Sequence, residues 1–200
     1  MTYILYLEPS KTSKFYKSIQ NFFDQTLKLY GPNEALQYPP HCSMTGFFIL
    51  QDDIQRKINQ IIELIDLFLE SHKNEISNSS YAAIQLKDII CISARLLISL
   101  QVYQPLHQLV QLISNLDSNI RPKRIDHISL AYCSNSFAEC RQKLNNNDIM
   151  QNMLEFAREL IEFDEANGGG SWDIVFYENL KLSQKLDEQH IFREIKRWRI

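Results

Sequence analysis

Two stretches of the chain place a serine two residues after a histidine: Tyr38-Pro39-Pro40-His41-Cys42-Ser43-Met44 and Arg124-Ile125-Asp126-His127-Ile128-Ser129-Leu130-Ala131-Tyr132-Cys133. The chain has 5 histidines, and the two in this pattern stand 86 positions apart (127 − 41). Along a strand, side chains alternate faces. His41 and Ser43 therefore share one face while Cys42 and Met44 take the other, and His127 and Ser129 share a face with Ile128 and Leu130 turned to the core. Two such strands side by side would present two imidazoles and two hydroxyls to one pocket. That set suits hydrolysis of a phosphodiester without metal. One imidazole takes a proton from water and the other gives one to the leaving oxygen, roles that fit a group whose ordinary pKa is about 6.5. The serine hydroxyls can hold the non-bridging phosphate oxygens between the two rings.

Other readings of these residues are weaker in chemistry. Two structural histidines capping strand ends would produce the same letters. A metal site from His41, His127 and Cys133, the last on the His127 face by alternation, matches no zinc spacing. Cys42 as a nucleophile faces away from His41. His72, His107 and His190 stand in polar helical or loop context, and no catalytic role is expected of them. The Gly168–Gly170 run lacks the Gly-Lys-Ser/Thr of a phosphate-binding loop and reads as a flexible connection. Arg121, Lys123 and Arg124 just before the second motif read either as a solvated loop or as an attractor for an anionic substrate, such as a nucleotide with a pyrophosphate. Arg193, Lys196, Arg197 and Arg199 read as surface charges around Ile195, Trp198 and Ile200.

The elements that must position these groups follow from apolar spacing. Residues 2–8 are aromatic and β-branched up to Pro9 and predict a strand. Phe15, Ile19, Phe22, Phe23 and Leu27 predict a helix over 11–29, stopped at Gly31-Pro32. A strand is expected over 42–50, a helix over 52–70 opened by Asp52 and Asp53, and a loop over 71–80. Strands at 82–92 and 95–103, a helix at 104–117 and the second motif strand at about 126–133 come next. Residues 136–163 read as helical with a break near Asn145–Asn147. Strands are expected at 172–181 and 192–199, the last with a helix as its alternative. Each half thus reads as an antiparallel sheet plus helices carrying one motif: a duplicated, bilobal α+β fold with a central cleft, one domain over residues 1–200.

Bulk properties bound the function. With 200 residues, 44 % hydrophobic and 22 % charged, the chain fits one globular domain. A formal net charge of −3 and a pI near 6.0 disfavour a sequence-independent binder of long nucleic acid. No apolar run approaches the roughly 20 residues that span a bilayer, and Met1–Lys11 lacks a basic n-region, so no membrane partner and a cytoplasmic or nuclear site are expected. Cys42, Cys91, Cys133 and Cys140 show no C-x-x-C spacing, and most are expected reduced and packed as small apolar groups.

These motifs and their flanks resemble the 2H phosphoesterase superfamily, and within it the cyclic phosphodiesterase branch of plant and fungal type. The first motif follows a proline, as in Pro40-His41-Cys42-Ser43. The second fits H-[VLI]-S-L-x-Y at every position from His127 to Tyr132. An apolar strand leading into a helix, LLISLQVYQPLHQLVQLI, precedes it, and Tyr6 stands three residues before Pro9 in the first strand. The resemblance covers most of the chain. It implies a bilobal fold that hydrolyses nucleoside 2′,3′-cyclic phosphates or ADP-ribose 1″,2″-cyclic phosphate without metal or other cofactor. It implies His41 and His127 as acid and base, Ser43, Ser129 and Tyr132 at the phosphate, and Tyr6 near the base. A small nucleotide cyclic phosphate, or RNA ends, would be the partner of a monomeric protein. The departures are Ser43 where threonine is commoner, Cys42 where valine or isoleucine is usual, and Asp126 where close relatives often have proline. An acidic side chain at 126 is placed to engage His127 if it turns toward the ring.

Overall fold

The computed structural model describes residues 1–78, 83–163 and 170–200. Among them, seven strands make two antiparallel sheets, joined by six α-helices. Strands β1 (Thr2–Pro9), β2 (Cys42–Ser43), β6 (Trp172–Lys181) and β7 (Ile191–Arg199) form one sheet in the order β2-β1-β6-β7. Strands β3 (Ile84–Ile92), β4 (Arg95–Val102) and β5 (His127–Ala131) form the other, in chain order. The sheets do not follow the halves of the sequence. β1 pairs along its whole length with β6, from Thr2↔Asn179 to Pro9↔Trp172, so the ends of the chain share one sheet and the middle supplies the other. Each sheet carries one His-x-Ser motif.

β1 reads as nearly continuous apolar because both its faces are covered. Tyr3, Leu5 and Leu7 enter a cluster of buried side chains that also takes in Ile98 of β4, Ile128 and Leu130 of β5 and Phe176 of β6. Ile4 and Tyr6 enter a second, smaller cluster with Val175 and Tyr177, flanked by Tyr38, Phe47 and Phe192. Helix α1 (Lys14–Tyr30) is capped by Ser13, whose Oγ accepts from Tyr16 N at 3.0 Å, and it buries Phe15, Ile19, Phe22 and Phe23. It ends at Gly31, whose φ of +76° lies where other residues are strained. Asn146 caps α6 (Asn147–Leu160) and separates it from α5 (Ala138–Leu144), at the expected break. Helices α2 (Ile54–Ser71), α3 (Lys73–Asn78) and α4 (Gln104–Ser114) complete the set. No helix among the described residues is long and apolar enough to cross a membrane.

Several expectations are corrected. The strand over 42–50 shrinks to two residues, followed by isolated bridges Thr45↔Pro122 and Tyr3↔Phe48. The cause is Thr45, whose Oγ1 accepts from Leu5 N at 3.1 Å, so a side chain takes the place of a ladder carbonyl. Asp53 sits at the N-cap of α2 but is left-handed (φ 42°) and makes no capping bond. The loop over 71–80 contains α3; residues 79–82 and most of the Gly168–Gly170 run lie outside the described residues. The last segment, by contrast, is the strand expected over 192–199 and not the alternative helix, and it pairs with β6. Arg197 and Arg199 are not simple surface charges. Arg197 binds Glu8, Asp173 and Glu194, and Arg199 binds Asp173, with Glu8 and Asp173 almost fully buried. Cys133 and Cys140 are joined in a disulfide rather than reduced, because the turn before α5 brings their Cα atoms to 6.0 Å; Cys42 and Cys91 are free.

Alternation along β5 sets opposite costs at neighbouring positions. Leu130 is fully buried and Ser129 only partly. Leu130→Ala is expected to lower the free energy of unfolding in urea by about 2–5 kcal/mol, and Ser129→Ala to change it by no more than about 0.5 kcal/mol. Equal losses would contradict this placement of the strand.

Candidate active site

β2 pairs with β1 through Tyr6↔Ser43 and Leu7↔Cys42. β5 pairs with β4 through Ser99↔His127, Ile98↔Ile128 and Leu97↔Ser129. The two motif strands therefore belong to different sheets, yet they lie against one another. Cys42, with no solvent exposure, faces the backbone of His127 and Asp126. Burial pushes its thiol up to about 12, so it packs the strands together and stays protonated. Just beyond, the chain after the first motif is stitched to the chain before the second. Lys123 N donates to Met44 O at 2.9 Å, and Gly46 N donates to Arg121 O at 2.9 Å. A side chain at 46 would meet Lys123 Cε at 3.6 Å, ordinary contact, so the glycine is not required for room.

The two imidazoles are anchored alike but to unlike partners. His41 Nδ1 lies 2.8 Å from the carbonyl of Pro39. A carbonyl only accepts, so Nδ1 carries the hydrogen and Nε2 keeps its lone pair. The Tyr6 ring lies on the imidazole, with centroids 3.8 Å apart, and Tyr38 flanks it at 5.4 Å. Removal from water lowers the His41 pKa to about 4, and repulsion from nearby His127 acts the same way against the Pro39 hydrogen bond. His41 is therefore neutral at pH 7. His127 Nδ1 lies 2.7 Å from Asp126 Oδ1. The carboxylate likewise accepts from Nδ1, and Nε2 has no hydrogen bond among the described residues. Both side chains are almost half exposed (43 % and 46 %), so solvent screens this pair and it contributes little to stability.

Two cavities gather the remaining groups. One, of about 560 Å³, is lined by His127, Ser129, Asp126, Arg95, Lys123, Arg124 and Cys133 among others. The other, of about 210 Å³, is lined by His41, Tyr6, Tyr38, Thr45, Gly46, Phe47 and Ile4. Ser43, Lys123 and Tyr132 line both. The six side chains singled out in the sequence thus sit around one pair of cavities that share walls. The Tyr132 hydroxyl donates to that of Tyr38, and burial raises the pKa of both, that of Tyr38 to about 12, so both stay protonated at neutral pH. Tyr6 is 1 % exposed, and its hydroxyl finds no hydrogen-bond partner among the described residues. The Cys133 sulfur is bonded to Cys140.

Sequence reasoning missed Arg95, Tyr38 and Phe47. Tyr38 had a signal, since it stands directly before the Pro39-Pro40 corner that delivers His41. Arg95 had none. It reaches the cavity only because β4 pairs with β5. The other histidines line neither cavity: His72 stacks on Phe68 at 4.1 Å, and His190 accepts from Ser183 N while its ring meets the edge of Tyr38 at 4.5 Å. Comparison of the chain with models of protein families finds no match, and a search of curated proteins finds none either.

The His41 environment makes a prediction that needs no activity. Its folded pKa lies below its unfolded one, so the unfolded chain takes up the proton first as pH falls. This contribution to stability is full above about pH 6.5 and is lost between there and about pH 4. His41→Gln cannot titrate. Urea unfolding at pH 7 and 4.5 is expected to lose less stability in the variant than in the wild type; an equal loss would contradict a neutral His41.

Proposed function

We propose that this chain is a metal-independent phosphodiesterase of the 2H phosphoesterase type. It opens nucleoside 2′,3′-cyclic phosphates or ADP-ribose 1″,2″-cyclic phosphate to the phosphomonoester. The observation that carries this reading is the pairing of two histidines from separate sheets, each tied down through Nδ1 and with no Nε2 partner among the described residues, around cavities also lined by Ser43, Ser129 and Tyr132. One imidazole activates water and the other protonates the leaving ribose oxygen. The hydroxyls hold the non-bridging oxygens as charge builds on them. One motif in each sheet supports the duplicated, two-lobed arrangement of such enzymes, with the shared cavities as their cleft.

Arg95, Lys123 and Arg124 line the larger cavity, against the single carboxylate of Asp126. Their charge favours a substrate with more than one phosphate over a cyclic mononucleotide. ADP-ribose 1″,2″-cyclic phosphate, with its pyrophosphate, meets that demand. An oligonucleotide, at an RNA 3′ end or 2′,5′-linked, is the second reading, since the same cations suit a neighbouring phosphate; the net charge of −3 favours the smaller ligand. A non-catalytic nucleotide-binding module would have no reason to hold two imidazoles in this state.

The test is a panel of cyclic mononucleotides, ADP-ribose cyclic phosphate and short RNAs, without added metal. Turnover is expected, and His41→Ala or His127→Ala is expected to reduce it about 10²–10⁴-fold. Near-full turnover in either variant would remove the mechanism, and saturable binding without turnover would favour the module. Arg95→Gln is expected to raise KM for the pyrophosphate substrate more than for a cyclic mononucleotide; equal effects would place the added charge elsewhere.

A further inference from the structure

The two rings differ in one respect that the paired motifs do not specify. His41 Nδ1 is held by a neutral carbonyl, and His127 Nδ1 by a carboxylate from the adjacent residue. We infer that Asp126 is a positioning residue that makes His127 the proton donor and leaves His41 as the base, an assignment that rests on the hydrolase reading above.

The backbone prepares the contact. Asp126 stands immediately before β5, and its carbonyl accepts from Leu100 N at 2.7 Å, which fixes the main chain at the strand entrance. The side chain is thereby left to turn back onto the neighbouring ring, with Oδ1 2.7 Å from Nδ1. A carboxylate oxygen can only accept here. The Nδ1 proton stays on the ring, donated to Asp126, throughout, and Nε2 is the atom that exchanges protons with the cavity. When His127 carries a proton on both nitrogens, its positive charge sits against the negative charge of Asp126. When it gives up the Nε2 proton, the ring is already in the tautomer that Asp126 holds, so no reorientation is needed. His41 has the opposite setting. Among the described residues no carboxylate is bonded to it, the Tyr6 ring covers one face, and its Nε2 lone pair is the form ready to accept.

The proton balance is closed. A water O–H bond breaks and its proton goes to His41 Nε2 while the oxygen bonds to phosphorus. The bond from phosphorus to the ribose oxygen breaks with its electron pair on that oxygen, which takes the His127 Nε2 proton. One water is added, and proton exchange with solvent resets both rings.

The experiment compares a nucleoside 2′,3′-cyclic phosphate with the analogue in which the leaving oxygen, identified from the product, is replaced by sulfur. A thiolate leaves without a proton, so the sulfur substrate does not need a donor. His127→Ala and Asp126→Asn are expected to lose at least about tenfold more turnover on the oxygen substrate than on the sulfur one, with Asp126→Glu partly restoring the asparagine variant. His41→Ala is expected to lose equally on both. Equal losses for His127→Ala and Asp126→Asn, or a sulfur rescue of His41→Ala, would overturn the assignment while leaving the hydrolase reading intact. Absence of wild-type turnover on the oxygen substrate and on ADP-ribose 1″,2″-cyclic phosphate and short RNAs alike would overturn both. Nitrogen-15 spectra of the imidazoles give a readout without catalysis: neutral His127 is expected as the Nδ1–H tautomer in the wild type, with that preference weakened in Asp126→Asn. An Nε2–H tautomer in the wild type would sink the positioning role.

Discussion

The contact between the two motif strands is the constraint on which the site depends. β2 and β5 belong to different sheets, and neither sheet's own hydrogen bonds relate one histidine to the other. What relates them is the Cys42 side chain buried on the backbone of Asp126 and His127, together with the crossed backbone bonds between 44–46 and 121–123. Cys42 occupies the face of β2 opposite His41 and Ser43. Closing that face with a small apolar group lets the strands approach while their polar faces stay at the cavities. A larger side chain would have to push the strands apart in an interior that has little slack.

The floor beneath His41 is held from behind. Tyr6 and Tyr177 stand side by side on β1 and β6, with ring centroids 5.8 Å apart, on the face of the sheet away from the main core. The Tyr177 hydroxyl donates to buried Glu8 at 3.0 Å, and Arg197 ties Glu8 to Asp173. A buried carboxylate is costly unless paired. Arg197 is thus the residue that makes Glu8 tolerable, and its removal would leave Glu8 without a cation at the back of the aromatic cluster, while Asp173 would keep Arg199. The chain termini, through β1 and β7, take part in positioning a ring that stands directly before β2.

Much of this was legible in the sequence where local rules decide the outcome. The alternation in the motifs turned Cys42 and Met44 away from His41, and Ile128 and Leu130 into the core, and all four are buried. The apolar spacing gave α1, and the asparagine run gave the break between α5 and α6. The rest turned on partners far along the chain. β2 is short because the Thr45 hydroxyl accepts from Leu5 N, a contact across 40 residues. The expectation that each half builds its own sheet failed because β6 is the full-length partner of β1. Ser93 and Ala94 make the β3–β4 turn with positive φ, without the glycine or asparagine that advertises such a turn, and so Arg95 arrives at the cavity unannounced. The Cys133–Cys140 bond likewise depends on a turn that their spacing of seven does not reveal. Asp126 was visible as an oddity, but its hydrogen bond to His127 had to be seen.

The central claim is that His41 and His127 act on one phosphorus. The most direct measurement is a titration with a nucleoside 2′-monophosphate, following the side-chain nitrogen resonances of both histidines together. The account predicts that both Nε2 signals move and saturate along a single binding curve. A response from one ring while the other stays unchanged at saturation would contradict it.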